Sequence, residues 1–302
     1  MLSVSIKDIS FKSPVLVASG TYGYGNEVEG LASVERLGGI VTKSVTRLPR
    51  EGNPPPRIAE TPSGMLNSIG LANLGVDGYC KEKLPFLNKL DTNIIINIAG
   101  SRMEDYIETL EILEGAEGKH VGYEINISCP NVKEGGMEFG VSPKMTQKLT
   151  EEMKKRTQKL LIMKLSPNVT SIQDIGLAAE QGGADAVSAI NTLVGMGINA
   201  KTKRVQLNTI FGGLSGPAIK PVALAQVYKL NKVLSIPIIG IGGIASAEDV
   251  AEFILAGASM VQVGTMNYMH PNLGVSLLDD LREYCMSQGA DNILELRGGL
   301  AT

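Results

Sequence analysis

The chain has no tryptophan, only five phenylalanines and eight tyrosines, too few aromatic side chains to build platforms for stacked bases. Its net charge of −3 and isoelectric point near 5.6 carry no basic footprint for binding nucleic acid. The two histidines, His120 and His270, stand far apart, which excludes an obvious zinc site; each reads as a surface or helix-end residue. Three cysteines (Cys80, Cys129 and Cys285) are odd in number, scattered and without a C-x-x-C spacing. That argues against a disulfide framework and points to a reducing compartment. Three scattered thiols also cannot hold a four-cysteine iron–sulfur cluster. No apolar run reaches the roughly 18 residues that a membrane span needs. The start, M-L-S-V-S-I-K-D-I-S, lacks the basic opening and long apolar stretch of a signal peptide. A cytoplasmic location is the expectation.

What is present is a large apolar core. Hydrophobic residues make up 43% of 302 and charged residues 20%, the balance of a globular protein. Short apolar runs recur at 15–19, 39–45, 94–99, 122–128, 160–166, 184–191, 237–242 and 259–264. Near-continuous apolar strands separated by helical patterns predict a parallel sheet covered by helices. Eight such units predict a (β/α)8 TIM barrel, a single domain over 1–302, in preference to an open doubly wound sheet. Ser101 with Glu104, Ser171 with Asp174 and Ser246 with Asp249 each pair a capping residue with an acid three positions on. After Ser246, the spacing places Val250, Phe253 and Ile254 on one helix face that stops near Gly257.

Long loops are expected after strands two, four and six. Residues 46–74 and 192–220 break the rhythm on the side where barrels build active sites. Pro and apolar residues together in the first loop predict ordered packing over a site.

Polar residues then gather where apolar strands end. Strand two ends in Lys43-Ser44, strand three in Asn97, strand four in Asn126, strand five in Lys164 and strand six in Asn191-Thr192. One such residue could simply emerge into solvent. Five strand ends on one face describe a pocket with two cations and several amides, suited to a flat, carbonyl-rich, anionic ligand. Strands seven and eight end in Gly242-Gly243 and Gly264-Thr265, whose backbone N–H groups suit an anion. With Gly212, Gly213 and Gly216 in the sixth loop, they predict a phosphate end, so the pocket has the two parts that a mononucleotide cofactor requires. Cys80 and Cys285 read as small core residues. Cys129 opens a loop at the mouth (S-C-P-N-V-K-E-G-G-M-E-F-G), where it could act as a base or a nucleophile. An ordinary thiol is only about 3% ionised at pH 7, so such a role needs nearby lysines, backbone dipoles or an alkaline optimum.

The motifs S-G-M-L-N-S-I-G-L-A-N (63–73), N-I-S-C-P-N-V (126–132), M-K-L-S-P-N (163–168), A-I-N-T-L (189–193), G-G-L-S-G-P-A-I-K-P (212–221) and G-I-G-G-I (240–244) occur in this order. Through them the chain resembles the class 1 dihydroorotate dehydrogenases over nearly its whole length. The resemblance implies bound FMN, its phosphate on Gly242, Gly243, Gly264 and Thr265. It implies Ser19, Lys43, Ser44, Asn97, Asn126, Lys164, Ile190 and Gly216 along the isoalloxazine and ribityl parts. Lys43, Asn67, Ser68, Ile69, Gly70, Leu71, Asn126, Asn191 and Thr192 are implied to hold the substrate pyrimidine. Cys129 is implied to take the C5 proton of dihydroorotate, whose oxidation to orotate belongs to de novo pyrimidine (UMP) biosynthesis. No metal is implied on this chain.

The loop K-E-G-G-M-E-F-G (133–140) resembles that of the NAD-linked class 1B. That implies a homodimer core with an electron-transfer subunit carrying FAD and a 2Fe–2S cluster, a heterotetramer. The alternatives are a fumarate-using class 1A enzyme and a dihydropyrimidine dehydrogenase-like flavin reductase. Further alternatives are a flavin-free lyase with Lys164 as Schiff-base nucleophile and a non-catalytic ligand-binding barrel.

Overall fold

The computed structural model describes residues 1–128 and 139–301. Eight parallel strands close into a barrel: β1 (Val15–Val17), β2 (Gly39–Val41), β3 (Asn93–Ala99), β4 (Gly122–Asn126), β5 (Leu160–Leu165), β6 (Ala186–Ala189), β7 (Ile238–Ile241) and β8 (Met260–Val263). Each pairs with its neighbours in sequence, and β8 closes on β1 with Val261 opposite Val15. All eight apolar runs seen in the sequence supply one strand each, a residue or more shorter at most ends. Strands such as β5, L-L-I-M-K-L, are buried at every position because helices cover them outside and side chains fill the barrel inside.

The helices that follow are α1 (Gly75–Glu82) with the short α2 (Leu84–Leu87), α3 (Met103–Glu114), α4 (Pro143–Lys154), α5 (Ile172–Gln181), α6 (Lys220–Asn231), α7 (Ala247–Leu255) and α8 (Leu273–Ser287). Ser171 and Ser246 cap α5 and α7 through their hydroxyls, which accept from Asp174 N and Asp249 N. On α7, Val250, Phe253 and Ile254 face the core as the spacing predicts. The expectation at Ser101 is corrected by one residue. Arg102 is the N-cap of α3, and Asp105, not Glu104, accepts from the backbone N–H groups of Ser101 and Arg102. Any Asx- or Glx-type acid one position along can close the same ring, so the sequence signal is blunt there.

Two features depart from eight regular βα units. The first crossover contains two 3-10 turns, Asn26–Val28 and Val34–Arg36, in place of an α-helix. Gly20, Gly23 and Gly25 all have positive φ, which no helix accommodates. Before β1, an antiparallel hairpin of Val4–Ile6 and Ile9–Phe11 buries Val4, Ile6 and Phe11.

The two long loops do not lie separately over the barrel. Ile58–Thr61 and Gly64–Asn67 from the loop after β2 join Leu193–Met196 and Phe211–Ser215 from the loop after β6 in one four-stranded antiparallel sheet. Gly213 pairs with Asn67 and Ser215 with Met65 across the join. A small hairpin, Ile198–Asn199 with Arg204–Val205, extends from the second loop. The greater part of the loop after β4 lies outside the described residues.

Candidate active site

A cavity of about 390 Å³ opens at the C-terminal ends of the barrel strands, beneath the four-stranded sheet. That volume falls in the range of small-molecule sites. Its walls include Ser19, Lys43, Ser44, Asn126, Lys164, Ile190, Asn191 and Thr192 from the strand ends. Asn67, Ile69 and Leu71 face it from the first long loop, and Gly216, Gly242, Gly243, Gly264 and Thr265 form its other end. The residues singled out at separate strand ends are therefore neighbours in space.

The glycine end is shaped by backbone that side chains would obstruct. Gly243 has φ +75°, and a Cβ there would fall 2.8 Å from Lys220 Cβ and 2.9 Å from Lys220 N. Gly216 has φ +96°, and its Cβ would meet Gly64 Cα at 2.7 Å. Thr265 donates its hydroxyl to Ser215 Oγ at 2.8 Å, tying β8 to the sheet above. Exposed backbone N–H groups in such turns make an anion cradle.

The opposite end carries the amides and cations. Asn191 Nδ2 donates to Asn126 Oδ1 at 3.2 Å, and Asn191 Oδ1 accepts from Thr192 N at 2.8 Å. These bonds orient both carboxamides. Lys43 is half-buried, held by its backbone N–H to Gly23 O at 2.8 Å. Burial lowers its pKa, the nearby Glu27 opposes that, and the cations Arg57 and Lys83 lower it further. A partly desolvated ammonium is a ready partner for an incoming anion.

Three expected wall residues stand elsewhere. Asn97 is fully buried below the cavity floor, where it accepts from Ser44 Oγ at 2.5 Å and donates to Glu124 at 2.7 Å. Ser68 and Gly70 are absent from the wall: Ser68 turns back to Asn53 and Thr209, and Gly70 takes a positive φ against Asn53. The strand ends at Asn67, and left-handed turns at Gly70 and Leu71 then set which of the following residues reach the cavity: Ile69, Leu71 and Ala72 do. Cys129 lies outside the described residues.

Below the floor sits a group that composition gave no hint of. Glu124, in the middle of β4, has no solvent exposure. Its Oε1 accepts from Asn97 Nδ2 at 2.7 Å and Lys164 Nζ at 3.2 Å. Its Oε2 accepts from Gln262 Nε2 at 2.7 Å and Ser188 Oγ at 2.8 Å. Burial pushes the carboxyl pKa up, but Lys164 and these hydrogen bonds outweigh it and leave it below the ordinary value. Glu124 is thus an ionised, saturated carboxylate in the barrel interior.

The family model for dihydroorotate dehydrogenase matches residues 1–285 of the chain. The chain belongs to the dihydroorotate dehydrogenase family. Among its curated relatives, the dihydroorotate dehydrogenase B (NAD(+)) catalytic subunits of Bacteroides thetaiotaomicron and Geotalea daltonii are each 48% identical over 299 residues. That of Thermoanaerobacter sp. is 46% identical over 301 residues. Each alignment covers 99% of this chain and 98% of the relative.

Within this family member, several wall residues escaped sequence reasoning: Thr21, Ile58, Met65, Ser215, Ile219 and Tyr268. Most come from connecting segments whose contribution depends on how the long loops pair. Glu124, by contrast, left a signal. A carboxylate amid an apolar strand demands a buried partner, and Lys164 on the next strand of the barrel is the cation to supply it. His120 also differs from expectation. It is buried, with Nε2 at 2.7 Å from Tyr123 Oη, and burial lowers its pKa to about 4. His270 is exposed, as expected.

Proposed function

We propose that the chain oxidises dihydroorotate to orotate on bound FMN and passes the electrons to NAD through a partner subunit. The observation that carries this reading is the two-ended cavity. A glycine cradle on β7 and β8 faces two lysines and a pair of oriented carboxamides across about 390 Å³. The printed names of the relatives, catalytic subunits of an NAD-linked dihydroorotate dehydrogenase, support the same reading.

The residues present fit FMN. Gly242, Gly243, Gly264 and Thr265 would hold the phosphate, where a Cβ at Gly243 would crowd Lys220. Ser19, Ser44, Lys164, Ile190 and Gly216 would line the rest of the cofactor, with Lys164 presenting positive charge. When bound, FMN would supply a two-electron acceptor of the kind that the protein itself lacks.

The chain's own residues hold the substrate and move one proton. Lys43 faces the substrate carboxylate, and Asn67, Asn126 and Asn191 face the carbonyl and N–H edges of the ring. Thr192, Ile69 and Leu71 close around it. Cys129, at the start of the loop after β4, is the proposed base for the C5 proton. Its thiol must lose its own proton before it can accept one, and an unperturbed thiol is mostly protonated at pH 7.

The surface supports a reading of this chain as part of an assembly. Val194, Met196 and Phe211 of the mouth sheet, with Ile198, Val205 and Ile210 of the adjoining loop, are large apolar side chains left exposed. Exposed apolar side chains of this kind support a protein–protein contact, such as a homodimer core with an electron-transfer subunit carrying FAD and a 2Fe–2S cluster would need. Among the described residues, no helix is long and apolar enough to cross a membrane.

The test is an absorbance spectrum of the purified chain before and after anaerobic dihydroorotate. A flavin spectrum that bleaches with dihydroorotate and not with dihydrouracil is expected. A colourless protein, or a flavin indifferent to dihydroorotate, would reject the reading. NAD reduction only when the partner subunit is added would place the chain in the NAD-linked class; NAD reduction by the chain alone would contradict the partner.

A further inference from the structure

A barrel interior is ordinarily filled by layers of branched apolar side chains. Here one layer is ionic. Asn97 from β3, Lys164 from β5, Ser188 from β6 and Gln262 from β8 all donate to Glu124 of β4, so five strands meet at one carboxylate. A buried ion pair of this kind is seldom more stabilising than apolar residues of the same volume. Its location indicates what it is for. Lys164 also lines the cavity, and Asn97 accepts from Ser44, which lines it too. The carboxylate therefore reaches the cavity wall at two points while having no exposure itself.

We propose that Glu124 is a positioning residue: it fixes the Lys164 ammonium against the cavity. The proposal rests on the reading of the cavity as a flavin site. A lysine ammonium ends a flexible four-carbon stem, and at a buried wall it needs both a counter-charge and a fixed direction. Glu124 supplies both from below. Positive charge set in place before the reaction costs no rearrangement when negative charge develops on the electron acceptor. Glutamine could not do the same. Both carboxylate oxygens accept from two donors each, so an amide NH2 at either position would face donors and leave Lys164 without a counter-ion.

The test is a double-mutant cycle with Glu124→Gln, Lys164→Met and the two combined. Three quantities are measured: FMN affinity of the flavin-free protein by fluorescence quenching, the limiting rate and half-saturation of flavin reduction by dihydroorotate, and the urea midpoint. Glu124→Gln alone is expected to lower FMN affinity and the limiting rate by about tenfold or more, with half-saturation by dihydroorotate within about threefold. Added to Lys164→Met, the same change is expected to alter affinity and rate by no more than about twofold. Equal losses in both backgrounds would overturn the proposal, because a local packing role does not depend on the lysine. If Glu124→Gln fails to fold, the combined variant, which leaves no unpaired buried charge, is compared with Lys164→Met alone. A further loss of about tenfold in FMN affinity there would overturn it, and near-equal affinity is the expected result. Should the chain bind no FMN, the flavin reading fails on its own. The urea midpoints still decide the pairing: non-additive losses support it and additive losses reject it.

Discussion

Two carboxylates among the described residues gather similar partners in different surroundings, one buried inside the barrel and one half-buried at the end of α3. Glu124 lies under the cavity and gathers donors from four other strands. Glu114, the last residue of α3, accepts from Tyr123 Oη at 2.7 Å, Thr157 Oγ1 at 2.8 Å and Lys159 Nζ at 3.0 Å, with His120 behind Tyr123. Burial raises the Glu114 pKa, and these three partners more than offset it. Each cluster pairs one carboxylate with one lysine and hydroxyl or amide donors. Only the Glu124 cluster touches the cavity. The difference teaches that an ionic network by itself says nothing about function; its adjacency to a shaped void does. Changes around the cavity should therefore alter chemistry and binding, and changes around Glu114 should alter stability alone.

The largest effect expected at the mouth is that of Cys129→Ser. Flavin reduction by dihydroorotate should slow by roughly 10²–10⁴-fold, the usual worth of a positioned base, with FMN retained. Stopped-flow absorbance measures it, and an unchanged rate would remove Cys129 from its role. Next comes Lys43→Ala, which should weaken orotate binding by about 2–4 kcal/mol, the cost of losing one charged hydrogen-bonding partner. Titration of the flavin spectrum with orotate reads this directly; near-normal affinity would place the carboxylate elsewhere.

Smaller effects belong to the Glu114 cluster. His120 has a folded-state pKa of about 4 against an ordinary 6.5. Below pH 6.5 the unfolded chain binds the proton first, so stability is full above that pH and falls as the pH drops towards 4. The loss should amount to at most about 3.5 kcal/mol. Urea midpoints across this range should show it, and His120→Asn should flatten the dependence; an equally steep profile in the variant would assign it to other groups. Smallest is Thr157→Val, which removes one of the donors to Glu114 and should cost about 1 kcal/mol with FMN affinity unaltered. A change in flavin binding from this site would blur the distinction between the two clusters.

Much of the barrel was legible because its signals are local. Each strand is a short apolar run, and Ser171 and Ser246 announce helices with a hydroxyl and an acid at fixed spacing. The cavity residues were legible for a related reason: polar side chains at the ends of apolar strands have few places to go but a shared mouth. What stayed hidden depends on distant pairing. The mouth sheet joins Gly64–Asn67 to Phe211–Ser215 across some 150 residues, and the glycines within them carry weak strand preference. Asn97 looked like a wall residue because strand position gives the height of a side chain and not whether another group caps it. Here Asn97 is fully buried and bonded to Ser44, which lines the cavity.

That mouth sheet has a consequence for how the two loops can vary. Strand partners alternate their faces, so a shift of one residue would turn Asn67 away from the cavity and bring Leu66 towards it. The paired stretches of both connections are thus locked in length to each other, as two halves of a zip are. Insertions and deletions are tolerable at the tip between Asn199 and Arg204, whereas one beside Met65 or Leu214 would misregister both loops together.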